Sequence, residues 1–213
     1  MADEKIQKQK VKKKAGKDGF YEVSAPLTSV KISLYGNSPE SFDGKVVKLD
    51  LTKSLRGKNF ELCLKVKNQD GQLSANPTKI ILSGSYVRKS MRKGSDYIED
   101  SFEILARDYI ARIKPFLITR RKVSRSVRNA LRLASRKYLE AHIKIRSAKE
   151  VFSDIMAGKI QKTMSQKLKK IYPLALCEIR AFELVRERTA EEVSKDKIEK
   201  VEDEEFNEGI DKE

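Results

Sequence analysis

The segment FELCLKV, residues 60–66, alternates apolar and polar positions. The apolar residues that recur at every second position are Phe60, Leu62, Leu64 and Val66. A period of two is typical of a strand with one buried face. Residues 44–51 (GKVVKLDL) and 79–86 (KIILSGSY) have similar patterns and are predicted to be neighbouring strands.

Residues 97–119 contain two further β-rich runs. Arg107 and Asp108 separate them and are predicted to form a hairpin tip. Pro115 cannot donate a backbone hydrogen bond, so the second run is expected to lie at a sheet edge or to carry a bulge. These strands predict an antiparallel sheet with a barrel-like form.

After Thr119 the apolar residues recur at a helical period, which predicts one helix. A second helix is predicted to begin at Ser147, because Ser147 and Glu150 have the spacing of a capping box. Gly158 is the position at which the second helix would divide, and Pro173 ends it. Residues 174–185 are predicted to return as a strand. The first apolar stripe is Val123, Val127, Ala130, Leu131, Ala134 and Tyr138, and the second is Ile155, Met156, Ile160, Met164, Leu168 and Ile171. Two main helices packed on an antiparallel sheet make an α+β fold.

The two ends of the chain have opposite charge. Residues 1–17 carry seven lysines against two acids, a net charge of +5, whereas residues 189–213 carry four lysines against eleven acids, a net charge of −7. Neither end has enough apolar surface to offset the entropy of ordering. We therefore predict a disordered basic arm over residues 1–18, a single α+β RNA-binding domain over 19–188 and a disordered acidic tail over 189–213.

The whole chain has a formal net charge of +15, and the part between its two ends carries +17. Such a field favours a polyanionic partner such as nucleic acid. A membrane is the weaker candidate, because no apolar run of about 18 residues is present and the amino end lacks the apolar segment of a secretory signal. Cys63 and Cys177 lie in apolar segments and are expected to be buried thiols in a reducing, cytoplasmic compartment.

Residues 116–138 hold eight cations and no acid. On a helical wheel of about 100° per residue, five arginines fall within about 80° of one another, and the apolar stripe is predicted on nearly the opposite side. Residues 109–139 contain no Asp or Glu, so we expect these arginines to have no carboxylate partner at i+4. The five arginines are Arg121, Arg125, Arg128, Arg132 and Arg136.

A solvated helix surface is the alternative explanation of this row, but solvated surfaces normally mix charges of both signs. Arginine can hold a phosphate through two hydrogen bonds, which favours a nucleic-acid backbone. Trp is absent, and no aromatic pair is evident beside a basic strand, so we expect the protein to recognise the shape and backbone of folded RNA. A second basic patch, residues 86–94, includes Lys89. The predicted RNA-binding residues are Arg120, Arg121, Lys122, Arg125, Arg128, Arg132, Arg136, Arg88, Arg92, Lys93, Lys12, Lys13 and Lys14.

No constellation for catalysis or metal binding is evident. His142 is the single histidine, and two cysteines 114 positions apart do not have metal-ligand spacing. Residues 90–93 (SMRK) match S-x-x-K, a match expected by chance in a chain this rich in Ser and Lys. We therefore expect neither enzymatic activity nor a cofactor or metal.

Several segments together resemble, in order and spacing, the S3Ae family of small-subunit ribosomal proteins of archaea and eukaryotes. The resemblance covers roughly residues 19–186. It is carried by GFYEVSAP (19–26), GKVVKLDL (44–51), GSYVRKSMRKG (84–94), ARIKPFLITRRKVSRSVRNALR (111–132) and KIYPLALCEIRAFELV (170–185).

This resemblance implies a barrel-like β domain flanked by helices, bound to ribosomal RNA on the platform of the small subunit near the messenger RNA exit. It also implies neighbouring platform proteins as partners and no catalysis. We expect no membrane association and no homo-oligomer. A free-standing RNA-binding regulator remains the alternative, because composition alone does not separate it from a permanent ribosomal component.

Overall fold

The structure is a computed structural model that describes residues 19–28, 30–53, 55, 58–69 and 72–188. The chain divides into two compact units. One comprises the described part of Met1–Lys45 together with Val66–Asn76, and the other comprises Val46–Lys65 and the described part of Pro77–Glu213. The predictions for residues 1–18 and 189–213 fall outside the described residues, and the single domain over 19–188 stays a prediction.

Both strands and helices are present in the described residues. The strands are β1 Gly19–Val23, β2 Ile32–Gly36, β3 Val46–Asp50, β4 Phe60–Gln69, β5 Gln72–Leu82, β6 Tyr97–Glu99, β7 Phe102–Leu105, β8 Tyr109–Thr119 and β9 Leu174–Glu187. The helices are α1 Gly84–Ser90, α2 Arg125–Ile145, α3 Ala148–Ala157 and α4 Lys159–Leu168, with a short 3₁₀ helix at Pro39–Phe42.

The first unit contains the antiparallel hairpin of β1 and β2. Its inner side packs on Phe42, whose ring centroid lies 5.7 Å from that of Tyr21. Gly36 fits directly against the Phe42 ring, because a Cβ atom at this position would lie 2.6 Å from the ring carbon Cζ. The outer side carries Phe20 opposite Tyr35, an aromatic pair that the sequence argument did not find.

The larger sheet has, within the described residues, seven strands in the order β3-β4-β5-β9-β8-β6, with β7 also paired to β8. Most of it belongs to the second unit, whereas the end of β4 and the start of β5, within Val66–Asn76, belong to the first. The pairs of β8 with β6, β7 and β9 are antiparallel. The prediction of an α+β fold on an antiparallel sheet is confirmed. The β7–β8 hairpin turns at Arg107 and Asp108, and a register shift at Pro115 supplies the bulge that proline requires.

One face of this sheet carries the helices. Phe152 of α3 meets Phe182 of β9 edge to face, with ring centroids 4.9 Å apart. The predicted capping box at the start of α3 is confirmed, since the backbone N–H of Ser147 donates to the Glu150 carboxylate at 3.1 Å. The predicted division of the second helix is also confirmed, because Gly158 is left-handed with φ 72° and separates α3 from α4.

The opposite face of the sheet carries Glu183 and Arg180 of β9, and Arg180 is the residue that the register shift between Lys114 and Pro115 leaves without a partner on β8. We call this surface the ion-paired face, because three of its cations have carboxylate partners. Two of these pairs join different strands directly across the surface, which fits cross-strand attraction between opposite charges. The pairs are Lys79 with Glu183 at 3.2 Å, Arg112 with Glu103 at 2.5 Å and Arg180 with Glu99 at 2.8 Å.

Three sequence predictions differ from the structure. The strand predicted over residues 79–86 ends at Leu82, because the N–H of Ser83 is bonded to the Asn59 carbonyl and the chain then turns into α1. The apolar stripe predicted for the second helix does not reach Ile171, which is exposed because α4 has already ended at Leu168.

The buried row of α2 is also displaced from the predicted stripe, and Ala130 is exposed. Residues spaced by four advance about 40° around a helix at each step, so the buried row winds gradually around the axis of α2. It therefore runs beside the arginine row and not opposite it. The buried residues are Leu131, Ser135, Leu139 and Ile143.

Candidate nucleic-acid interface

The turn between β8 and α2 is held by Thr119, which is fully buried. Its backbone N–H donates to the Asp96 carbonyl at 2.9 Å, and its hydroxyl donates to the Arg121 carbonyl at 2.7 Å. The Asp96 carboxylate accepts the N–H of Val123 at 2.9 Å. Arg120, Arg121 and Lys122 are therefore exposed on a turn whose backbone is fixed at both ends.

A concave surface of about 760 Å³ lies beside this turn, and we call it the basic cleft. Four cations line it: Lys89, Arg92 and Lys93 from α1 and the loop after it, and Arg120 from the turn. The other polar lining groups include serine hydroxyls, and none of the described lining residues is Asp or Glu. Four cations around an acid-free concavity form a site for an anion with several oxygen acceptors.

The strand pairing explains why these residues meet. β6 pairs with the end of β8, with Tyr97 opposite Ile118. This pairing brings the loop that precedes β6 to the turn that follows β8. Two basic patches that are separate in sequence thus share one surface.

A second concavity, of about 930 Å³, lies between α2 and β6, and we call it the arginine groove. Arg125, Arg128 and Arg132 line one wall. The acids of the other wall are Asp96, whose carboxylate is bonded to a backbone N–H, and Glu99, which is paired with Arg180.

Within the described part of the chain, none of the three arginines of the groove forms an ion pair with a carboxylate. Arg132 donates a hydrogen bond to the neutral Asn129 side chain at 3.0 Å. Such cations are available to an external anion.

Arg136 differs from the other arginines of α2. Its guanidinium is 2.8 Å from the carboxylate of Glu140, one turn further along the helix. The hydrogen bond to Glu140 raises the pKa of Arg136, and the guanidinium also lies 5.0 Å from the centre of the Phe102 ring. The prediction that none of these arginines has an i+4 carboxylate partner is wrong here, because Glu140 lies just beyond the acid-free stretch.

The remaining predicted residues are dispersed. Arg121 and Lys122 are exposed but precede α2, which begins at Arg125, so Arg121 does not belong to the helical row as predicted. Arg88 is exposed on α1 but does not line the basic cleft. The tail lysines Lys12, Lys13 and Lys14 fall outside the described residues.

Sequence reasoning missed Asp96 and Thr119, which position the cleft and the groove without contributing a positive charge. Their roles depend on hydrogen bonds that span 23 to 27 residues. No local pattern marks an aspartate that binds a backbone N–H so far along the chain. Their importance follows only from the pairing of β6 with β8.

The described residues give little support for a metal site, a reactive cysteine or histidine, or a membrane-spanning helix. They contain no group of three or more His, Cys, Asp or Glu side chains arranged to hold a metal ion. Burial raises the pKa of Cys177 to about 12, so this thiol stays protonated, and burial followed by the nearby Arg146 lowers the pKa of His142. No helix in the described part is long and apolar enough to cross a membrane.

The sequence matches one known protein family and several known proteins. The model of the ribosomal S3Ae family matches residues 6–188. A protein of Nanoarchaeum equitans is 30% identical over 173 residues, which cover 78% of this chain and 87% of the relative. A relative from Haloquadratum walsbyi is 25% identical over 194 residues, which cover 86% of this chain and 90% of the relative. A relative from Methanothrix thermoacetophila is also 25% identical, over 195 residues, which cover 86% of this chain and 88% of the relative.

All three relatives are named small ribosomal subunit protein eS1. The matched region of the family contains the basic cleft, the arginine groove and the turn that joins them. Because the family match extends over most of the sequence, the chain belongs to the ribosomal S3Ae family.

Proposed function

We propose that this protein is a structural constituent of the small ribosomal subunit and that its basic cleft and arginine groove bind ribosomal RNA. The observation that carries the proposal is the acid-free cleft formed by Lys89, Arg92, Lys93 and Arg120. The names of the relatives support the assembly, since each is a small-subunit protein. The family is a structural component of the ribosome and not an enzyme.

Phosphate is the chemical group that best fits both concavities. Guanidinium groups can hold two phosphate oxygens at once, whereas lysine ammonium groups act as point charges. Each phosphate that is neutralised releases condensed counterions, so binding should weaken steeply as salt rises. These contacts do not depend on base identity and therefore suit folded RNA recognised through its backbone.

The finer assignment follows from the family resemblance. We place the protein on the platform of the small subunit, near the messenger RNA exit and beside other platform proteins. It would be cytoplasmic and bound to ribosomes. Its contribution to translation would be to hold the RNA in shape.

Sedimentation of cell extracts tests this proposal. Tagged wild-type protein should co-sediment with small subunits and persist after a high-salt wash, because many contacts to folded RNA act together. A variant with Arg92→Gln and Arg120→Gln should be released at lower salt. Wild-type protein found only in the free soluble fraction would contradict the proposal and favour the free-standing regulator.

A further inference from the structure

An exposed tyrosine ring lies in the arginine groove. Tyr97 of β6 lines this concavity together with the three arginines of α2, and 58% of its surface is exposed. Within the described part of the chain, its hydroxyl has no hydrogen-bond partner and its ring contacts no other aromatic ring and no cation. A large π surface is therefore open to the groove.

The backbone that carries this ring is fixed. The N–H of Thr119 donates to the Asp96 carbonyl at 2.9 Å, and the N–H of Asp96 donates to the Thr119 hydroxyl at 3.0 Å. Tyr97 follows directly and is paired with the buried Ile118. Alternation along β6 buries Ile98 and leaves Tyr97 exposed. The backbone around the ring therefore needs no further ordering when a partner binds.

The facing wall of the groove supplies cations at helical spacing. Arg125, Arg128 and Arg132 are three or four positions apart, so they are neighbours on one side of α2. The helix rises about 10 Å from the first to the last, which allows the row to contact more than one phosphate.

Asn129 lies among these arginines and adds a hydrogen-bond donor to the groove. Its Oδ1 atom accepts a hydrogen bond from the Arg132 guanidinium at 3.0 Å. Because a guanidinium group can only donate, this bond sets the orientation of the amide and leaves its NH₂ group available to an acceptor on the edge of a base.

Two acids share the groove, but both carboxylates already accept hydrogen bonds. Both carboxylate oxygens of Glu99 lie 2.8 Å from Nη1 of Arg180. The Asp96 carboxylate accepts the N–H of Val123 at 2.9 Å. These contacts reduce the repulsion that either carboxylate would exert on a phosphate.

An aromatic ring and unmatched arginines within one concavity favour a nucleotide over other anions. A free phosphate or an acidic peptide would engage the arginines and leave the ring in water, whereas a nucleotide has a base for the ring and a phosphate for the arginines. A base inside a duplex is stacked on its neighbours and cannot cover the ring, so the nucleotide must be unpaired.

We propose that the arginine groove holds an unpaired nucleotide of RNA, with its base stacked on Tyr97 and the flanking phosphates bound by Arg125, Arg128 and Arg132. This inference rests on the proposed function, because it requires an RNA partner. It adds recognition of an unpaired base to the shape and backbone recognition expected from the sequence.

The test uses the full-length protein and two RNA duplexes of about 16 base pairs that differ at one position. Each duplex has a one-nucleotide bulge, which carries 2-aminopurine in one and an abasic ribose in the other. The phosphates are identical, so the difference in affinity reports the contribution of the base. Wild type should bind the 2-aminopurine duplex roughly 5- to 150-fold more tightly and quench its fluorescence.

Substitutions of Tyr97 identify the ring as the platform. Tyr97→Leu keeps an apolar side chain without the π surface, so it should bind both duplexes with nearly the affinity of wild type for the abasic one. Its slope of affinity against salt should be unchanged, because no phosphate contact is lost. Tyr97→Phe keeps the ring and should retain both the preference and the quenching.

A matched control is available in the first unit. Tyr35→Leu removes a strand tyrosine of similar exposure, 61%, that does not line the groove. This variant should behave as wild type with both duplexes. Circular dichroism of each variant verifies that it is folded.

The outcomes separate this inference from the proposed function. Wild type that binds both duplexes equally and does not quench 2-aminopurine would refute the nucleotide site, although RNA binding through the backbone would persist. A folded Tyr97→Leu variant that retains the preference would also refute it. If wild type binds neither duplex, the proposed function itself is contradicted, and the groove suits another anion such as an acidic peptide.

Discussion

Two surfaces of the second unit carry similar cations in opposite surroundings. On the ion-paired face, Lys79, Arg112 and Arg180 each have a carboxylate within 3.2 Å. The basic cleft has four cations and no acid among its described lining residues. The number of arginines and lysines therefore does not identify a nucleic-acid surface, whereas the absence of matching carboxylates does.

The physical reason lies in self-repulsion. A cation with its own carboxylate gains little from an external anion, because binding would require that pair to be broken. Unmatched cations repel one another until a partner neutralises them. A surface with unmatched cations should therefore bind RNA more tightly than one with matched cations, and substitutions on each surface test this separately.

The largest effect is expected when the unmatched cations are removed. A variant with Arg120→Gln, Arg125→Gln and Arg128→Gln should bind a model duplex RNA roughly 100-fold more weakly at about 0.1 M salt. The slope of log affinity against log salt should become less steep by about two to three units. Fluorescence anisotropy over a salt series measures both quantities. An unchanged slope, with normal thermal unfolding, would show that these side chains do not contact phosphate.

A smaller effect of opposite sign is expected when matched cations are freed. Glu103→Gln and Glu183→Gln together leave Arg112 and Lys79 without their partners, so RNA binding should tighten roughly 3- to 10-fold and become more salt-dependent. Asp50→Asn with Glu61→Gln changes the net charge equally and is the control. If both variants tighten binding equally, net charge and not local matching governs the interaction.

The arginine row itself provides an internal comparison. Arg125→Gln should weaken RNA binding by roughly 5- to 10-fold, whereas Arg136→Gln should weaken it by only about twofold, since Glu140 already neutralises Arg136. Anisotropy at one fixed salt concentration suffices. Adding Glu140→Gln to wild type should strengthen binding slightly, and equal losses at both arginines would contradict the distinction.

The smallest effect is expected on the ion-paired face. Changing Lys79, Arg112 and Arg180 together to Gln removes as many charges as the first variant. RNA affinity should nevertheless stay within about twofold of wild type, with an unchanged salt slope. A loss comparable to that of the cleft and groove variant would eliminate the distinction between the two surfaces.

Local signals in the sequence were sufficient for most elements of the fold. Alternation predicted β4, Ser147 and Glu150 predicted the start of α3, and Gly158 predicted the break after it. Each of these signals acts within a few residues. The prediction for residues 79–86 failed where such a signal was ambiguous, since polar residues and a glycine after Leu82 allow either a strand or a turn into a helix.

The orientation of α2 was harder to predict. Ser135 is buried although it is polar, because its hydroxyl donates to the Arg132 carbonyl at 2.8 Å and needs no external partner. Ala130 is apolar but exposed. A helical wheel that uses residue polarity alone therefore places the buried side in the wrong direction.

The candidate site could be predicted only in part. The sequence identified Arg92, Lys93 and Arg120 as binding residues because they lie in basic runs. It did not show that they share one cleft, because that depends on the pairing of Tyr97 with Ile118. Long-range register of this kind is set by the packed sheet and not by neighbouring residues.

The buried hydroxyl of Thr119 has a consequence for how a complex would form. Because Thr119 and Asp96 fix the turn, the backbone around Arg120 loses its conformational freedom when the protein folds and not when it meets its partner. Under the proposed function, this turn would meet the RNA already in its bound conformation, and the conformational change on binding would occur mostly in the RNA.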